Sequence, residues 1–243
     1  MSKKFAAFDM DGTLFRSGLF REVILELVEL EALPETFLTS LADKEQAWKK
    51  RTHGSAFGEF EEAMAMAMDE HLPQIKISYF ELAVERVVHS HKDNVYVYTR
   101  ELAKRLKSEG YTLIAISGSQ EEVVEPFAQH YDFDHVIGQR YERGDEYLAG
   151  IERKTHTGKG KFLKKLIAEH DLTLEGSVAI GDTSGDIEML ELVERPIAFN
   201  PEQNLYQIAI ENGWKIVIER KNMMYQLEPD SEGQYRLHAA NPH

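Results

Sequence analysis

A chain of 243 residues, 42% of them hydrophobic and 29% charged, can bury a full core and is too apolar to stay disordered. No apolar run approaches the roughly 20 residues of a membrane-spanning helix, and the lysine-rich start leads directly into an apolar strand with no room for a signal sequence, so a cytoplasmic protein is expected. A net charge of -14 disfavours a nucleic-acid partner, and the absence of cysteine excludes disulfides and thiolate metal sites.

The first informative stretch is Phe5-Ala-Ala-Phe8, an apolar run of strand length followed at once by Asp9, Asp11, Gly12 and Thr13. In an open parallel α/β sheet, ligands bind beyond the carboxyl ends of the strands, where loops present side chains without disturbing the core. One carboxylate there could attack an electrophile or hold a metal, while the other, its pKa raised by the first, could carry a proton. The same residues would also make an ordinary Asx turn, and their partners downstream decide between the two.

From residue 16 to residue 92 strand signals vanish and helical spacing takes over. Val23, Leu27 and Leu30 mark an amphipathic helix over 19–33; Pro34 separates it from a second over 35–52. A third is predicted over 57–71, closed by Pro73, and a fourth over 79–91 with Leu82, Val87 and Val88 on its apolar side. This is an all-helical insertion between core segments 1–15 and 93–243. Met64 and Met68 share a helix face, which suits core packing or an apolar wall above a substrate. Lys49 and Arg51 lie in a charged run that is either a solvated face or a reach toward an anionic substrate. His89 and His91, two apart on a helix, diverge and do not share a metal.

Strand and helix alternation resumes near Val95, with a helix over 100–109 ended by Gly110 and a strand over 111–116. That strand runs into a Ser117-Gly118-Ser119 turn before a helix starting at Gln120, where free N–H groups favour an anion, although Ser is also a common simple cap. A short strand over 135–137 and a hairpin over 140–151 follow. Arg143-Gly144-Asp145 at its tip reads as turn chemistry rather than an adhesion motif. Lys159 and Lys161 open the next helix, where cations oppose the dipole and invite a reason. A strand over 177–180 then presents Asp182 and Asp186. With Asp9 and Asp11 they would form an oxygen-rich acidic pocket suited to Mg²⁺. A strand over 196–199, a helix over 202–212, a strand over 215–218 and a terminal hairpin complete the chain, the last five residues being expected to fray.

Four stretches, in order and position, resemble the motifs of the haloacid dehalogenase superfamily: Asp-x-Asp-Gly-Thr at 9–13, Ser117 after a strand, Lys159, and Gly-Asp-x-x-x-Asp at 181–186. The Lys-Gly pair and its distance from Asp182 look most like the phosphoserine-phosphatase-like branch. The resemblance implies a Rossmann-like three-layer α/β/α parallel sheet with an all-helical cap insertion. It also implies Asp9 as nucleophile, forming an aspartyl-phosphate, and Asp11 as general acid and base. Ser117, the Gly118 N–H and Lys159 would hold the phosphoryl oxygens, while Asp9, the Asp11 carbonyl and Asp182 would bind Mg²⁺ with Asp186 in support.

The chain departs from that branch in its cap. Gly18 stands where a glutamate would receive the amino group of phosphoserine, the cap arginine for its carboxylate is missing, and Gly185 replaces an asparagine. The expected function is a Mg²⁺-dependent phosphomonoesterase acting on a small soluble phosphate other than phosphoserine, with Lys49, Arg51 and Met64 as candidate substrate contacts. A phosphotransferase or mutase, or a non-catalytic binding module on the same fold, are the alternatives.

Overall fold

The pleat of the first strand sorts its side chains between two interiors. In β1 (Lys3–Phe8), Phe5 and Ala7 enter one apolar cluster while Ala6 and Phe8 enter another, as the period of two dictates. The computed structural model, which describes residues 2–242, builds a nine-stranded sheet around this strand. The further strands are β2 (Thr112–Gln120), β3 (His135–Arg143), β4 (Leu148–Arg153), β5 (Leu172–Gly181), β6 (Arg195–Phe199), β7 (Lys215–Arg220), β8 (Met223–Pro229) and β9 (Tyr235–Pro242). Their order is β4-β3-β2-β1-β5-β6-β7-β8-β9. The six central strands are parallel, and β4, β8 and β9 are added antiparallel at the two sides. The chain leaves β1 toward β2 on one side and later returns to β5 on the other, so the switch point of the sheet lies at the carboxyl end of β1.

Ten α-helices accompany the strands among the described residues: α1 (Leu19–Glu29), α2 (Thr36–Ser40), α3 (Ala42–Lys50), α4 (Ala56–His71), α5 (Ile77–His91), α6 (Val97–Ser108), α7 (Glu121–His130), α8 (Lys159–Glu169), α9 (Ile187–Leu190) and α10 (Gln203–Glu211). One sheet face packs on Leu163 and Leu166 of α8, Met189 and Leu190 of α9, and Leu205 and Ala209 of α10. The other packs on α6 and α7, and the same cluster continues without a break into Leu19, Val23, Ile24 and Leu27 of α1, Phe60, Met64 and Met68 of α4, and Phe80 and Val87 of α5. This is the three-layer arrangement with a helical cap. Phe15 ties the cap to the sheet layer, its ring edge-on to Phe127 at 5.4 Å.

Several expectations change in detail. Near Val95 there is no strand of the sheet. Instead the segments by which the chain leaves and rejoins the core pair with each other, Tyr96 N–H donating to Leu14 O at 2.9 Å and Arg16 N–H to Asn94 O at 3.0 Å. The single helix expected over 35–52 is broken at Leu41 into α2 and α3. Thr39 and Ser40 donate their hydroxyls back to Thr36 O and Phe37 O, the local competition that disfavours helix continuation, and Leu41 turns inward. The Ser117-Gly118-Ser119 stretch is not a turn; β2 runs through it to Gln120, with a register irregularity after Ile116. The short strand at 135–137 is continuous with the first arm of the hairpin as β3. Residues 239–242, expected to fray, pair with β8 as far as Pro242 opposite Met223; the last of the five, His243, lies outside the described residues. Arg143, at the hairpin tip, donates to Glu81 of α5 at 2.6 Å, and Leu148 N–H donates to Ile75 O, so the tip docks the cap. No helix among the described residues is long and apolar enough to cross a membrane.

None of the described α-helices is capped by its own N-cap side chain, and at α1 and α6 distant residues take that part. At α6, Tyr96 caps nothing with its side chain, and the buried Glu219 of β7 accepts Val97 N–H at 3.1 Å and Tyr98 N–H at 2.8 Å. Glu219→Ala leaves those partly buried N–H groups without this acceptor and is expected to lower stability by about 1–3 kcal/mol in urea unfolding, with Glu219→Gln recovering part of the loss. A loss below about 0.5 kcal/mol would contradict this account of the helix start.

Candidate active site

The loops after β1 and β5 approach each other closely enough to need a glycine between them. Gly12 has φ +80°, and a Cβ placed on it would fall 2.1 Å from Asp182 Oδ2. Just beside it, Thr13 Oγ1 donates to Asp182 Oδ1 at 2.9 Å, while Asp9 N–H continues the β1–β5 ladder by donating to Ile180 O at 2.9 Å. This brings Asp9, Asp182 and Asp186 together, with one oxygen of each within 4.8 Å of the others. Asp186 is held from below, its Oδ2 accepting Asp182 N–H at 3.1 Å and Thr183 N–H at 3.0 Å.

Lys159 enters from the start of α8. It is buried, donating from Nζ to Asp9 Oδ1 and, at 2.6 Å, to Asp186 Oδ1. The neighbouring Gly160 allows α8 to lie against α9; its Cβ would be 2.7 Å from that of Glu188. Here lies the reason for a lysine at a helix start: its charge is spent on two strand-end carboxylates, which outweigh the unfavourable dipole.

Burial dominates the electrostatics. Asp9 is pushed up to about 7 by desolvation first and the Asp186 charge second, against the pull of Lys159. Asp182 is raised well above the usual carboxylate range by burial and by Asp9 and Asp186. Burial works against the Lys159 ammonium as well, but Asp186 and Asp9 more than reverse it and its pKa is raised. Two buried carboxylates, Asp9 and Asp186, and the partly buried Asp182, with one lysine, leave the site short of positive charge.

The Asp11 side chain lies outside this group. Its Oδ2 accepts the hydroxyls of Ser117 at 2.7 Å and Ser119 at 2.6 Å, and its Oδ1 accepts Leu19 N–H. Ser119 Oγ in turn accepts Phe20 N–H at 2.7 Å. Gly18, the N-cap of α1, has no side chain, so Asp11 and Ser119 satisfy the first N–H groups of the cap's first helix from the core. Ser117 is fixed by Thr155, whose hydroxyl donates to its carbonyl at 2.6 Å, and Gly118 packs beneath His156, with 3.3 Å from its Cβ position to the His156 Cβ.

Of the residues singled out from sequence, the structure thus gathers Asp9, Lys159, Asp182 and Asp186 into one cluster and sets Asp11 and Ser117 together beside them. The cap candidates are placed elsewhere. Met64 is buried in the apolar core, Lys49 is exposed and paired with Glu45 at 2.8 Å, and Arg51 is exposed at the left-handed end of α3. Thr13 and Ser119 were not singled out. Each lies within a stretch already quoted, and the signal was a second hydroxyl beside a candidate carboxylate or serine.

A profile of the haloacid dehalogenase-like hydrolase family matches residues 6–191. The phosphoserine phosphatase of Methanocaldococcus jannaschii is 26% identical over 226 residues, spanning 91% of this chain and 94% of its own. The histidinol-phosphatase of Neisseria meningitidis is 24% identical over 235 residues, spanning 88% and 98%. A solved structure described as a phospho-aspartyl intermediate analogue of phosphoserine phosphatase superposes with a TM-score of 0.62 at 22% identity, over 91% of this chain and 95% of that one. The matched profile runs through all the strand ends that carry the cluster, and the chain belongs to the haloacid dehalogenase-like hydrolase family.

Proposed function

We propose that the protein is a Mg²⁺-dependent phosphomonoesterase that works through an aspartyl-phosphate on Asp9 and acts on a small phosphorylated substrate other than phosphoserine. The observation that carries this reading is the buried Asp9 carboxylate, one oxygen held by Lys159, with a second anchored carboxylate two residues away at Asp11. Phosphatase-named relatives spanning most of the chain support it.

The donor set suits a hard divalent cation. Two buried carboxylates that share one lysine stand beside the partly buried Asp182, all ligand atoms are oxygen, and Asp9 and Asp182 are destabilised as anions by burial and by their acidic neighbours. Asp9 and Asp182 would hold Mg²⁺, with Asp186 supporting both through Lys159 and the loop backbone. When bound, the cation would neutralise the phosphoryl oxygens and ease the approach of an anionic nucleophile.

The remaining chemistry belongs to the chain. The Asp9 oxygen not engaged by Lys159 attacks phosphorus, and the bond from phosphorus to the ester oxygen breaks. Asp11 gives a proton to the departing alkoxide, then takes one from the water that cleaves the Asp9 acyl phosphate. Lys159, Ser117 and the Gly118 N–H steady the phosphoryl oxygens, with a substrate oxygen taking the place of one hydrogen bond that Ser117 now gives Asp11. The missing glutamate at Gly18 is the reason for setting phosphoserine aside.

Phosphate release from a panel of phosphomonoesters is expected to need Mg²⁺, to vanish in Asp9→Asn and with EDTA, and to fall by about 10²–10⁴-fold in Asp11→Asn. Wild-type turnover by Asp9→Asn would sink the mechanism. A second expectation follows from charge. Asp9 is raised in the folded protein, so folded and unfolded states differ in protonation between the ordinary carboxylate range, near about 4, and about 7. The metal-free protein therefore loses stability as pH rises through that window, while bound cation requires the deprotonated form. Added Mg²⁺ should raise Tm more at about pH 8 than at about pH 5.5. An equal rise at both would show that the buried carboxylates do not bind it.

A further inference from the structure

Helix α4 is tied to the core near both of its ends. In the turn before it, Gly54 approaches the core, its Cβ position 3.2 Å from Gln203 Oε1 at the start of α10. Near its other end, Asp69 pairs with Lys154 at 3.0 Å, in the segment whose next two residues, Thr155 and His156, pack on Ser117 and Gly118. Between these ties Gly58, Glu61, Ala65 and Asp69 follow at spacings that put them on one helix stripe. The neighbouring stripe of Phe60, Met64 and Met68 is buried and fixes the helix rotation. Because Asp69 meets the core, its stripe faces the strand ends.

Glu61 is the carboxylate in the middle of that stripe. Nothing lies within 4 Å of the Cβ position of Gly58, and Ala65 is short, so both its flanks are open. Among the described residues Glu61 has no hydrogen-bond or ion-pair partner, and its side chain reaches water. Desolvation, then the charges of Asp11 and Asp9, push it up to about 7, against the weaker pull of Arg21.

The cations nearby are already engaged. Arg21 donates to Ser17 Oγ at 2.6 Å, pairs with Glu22 at 3.4 Å and lies over the Trp48 ring at 5.6 Å, a ring that also stacks on Phe60. Lys159 is held by Asp9 and Asp186. A carboxylate on a substrate's leaving group would meet acidic groups and two cations that are already engaged, whereas a cation would meet an unpartnered carboxylate.

Building on the phosphomonoesterase reading, we propose that Glu61 receives a cationic nitrogen on the leaving group, so that the substrate is a phosphorylated amino alcohol without a carboxylate. Glu61 is then the residue by which the cap selects substrate.

The test compares aminopropyl phosphate, butyl phosphate and carboxypropyl phosphate, three esters of similar size whose tails are positive, neutral and negative. The wild type is expected to favour the amino ester over the butyl ester by about tenfold or more in kcat/KM, and to reject the carboxylate ester. Glu61→Gln should bring the amino to butyl ratio to within about twofold, and Glu61→Lys should move the preference toward the carboxylate ester. Equal use of the amino and butyl esters by the wild type, or an undiminished preference in Glu61→Gln, would overturn the proposal. Calorimetric binding of the same esters to Asp9→Asn, with and without Glu61→Gln, gives the ranking without turnover. If nothing is hydrolysed yet the amino ester still binds best through Glu61, the phosphomonoesterase reading falls and the cation site stands.

Discussion

The interaction on which the site depends is the buried ammonium of Lys159 between Asp9 and Asp186. Taking such charges out of water costs several kcal/mol per ion unless partners are placed with good geometry, and removing one partner strands the others. The arrangement therefore constrains everything around it. The start of α8 must reach the ends of β1 and β5, Gly12 must let the two loops meet, and Gly160 must let α8 settle on α9. Asp182, bonded through its side chain to the Thr13 hydroxyl, is left with excess negative charge, and that imbalance is what makes the cluster receptive to a cation.

Asp11 joins the chemistry to the roof above it. The same carboxylate that sits beside the cluster accepts the N–H of Leu19 and the hydroxyls of two β2 serines. An α-helix leaves its first N–H groups without intrahelical partners, and Gly18 offers no side chain to meet them. The start of the cap and the orientation of the proposed acid and base are therefore fixed by one set of hydrogen bonds. The cap is further held where the chain leaves and rejoins the core, at the β3–β4 hairpin and through Lys154, which fixes α4 relative to the core.

Much of this was legible from the chain. The alternating side chains of Phe5 to Phe8, the carboxylates after the first and fifth strands, and the lysine at an unfavourable helix position all point to a site at the switch point of a parallel sheet. The cap was legible as helices but not as a surface. Met64 belongs to the core, Lys49 is paired along its own helix, and the cap carboxylate that feels the charges of Asp11 and Asp9 is Glu61, adjacent to residues read as apolar packing. Helical spacing identifies the two stripes of α4 and does not say which of them a neighbouring element will cover.

A few adjacent residues suffice to set the strand and helix periods, the turns, and the order in which chemically competent side chains arrive at strand ends. Their partners come from the packing of distant elements. Asp11 meets serines 106 and 108 positions away, and Lys159 finds Asp9 across 150. Whether Asp186 supports the loop or stands free, and whether Glu61 is a solvated charge or the lining of a cleft, depend on how the layers pack. Local spacing sets a side chain's direction along its own element, whereas burial and distance to distant charges, which set its pKa and its use, arise only when separate elements close on one another.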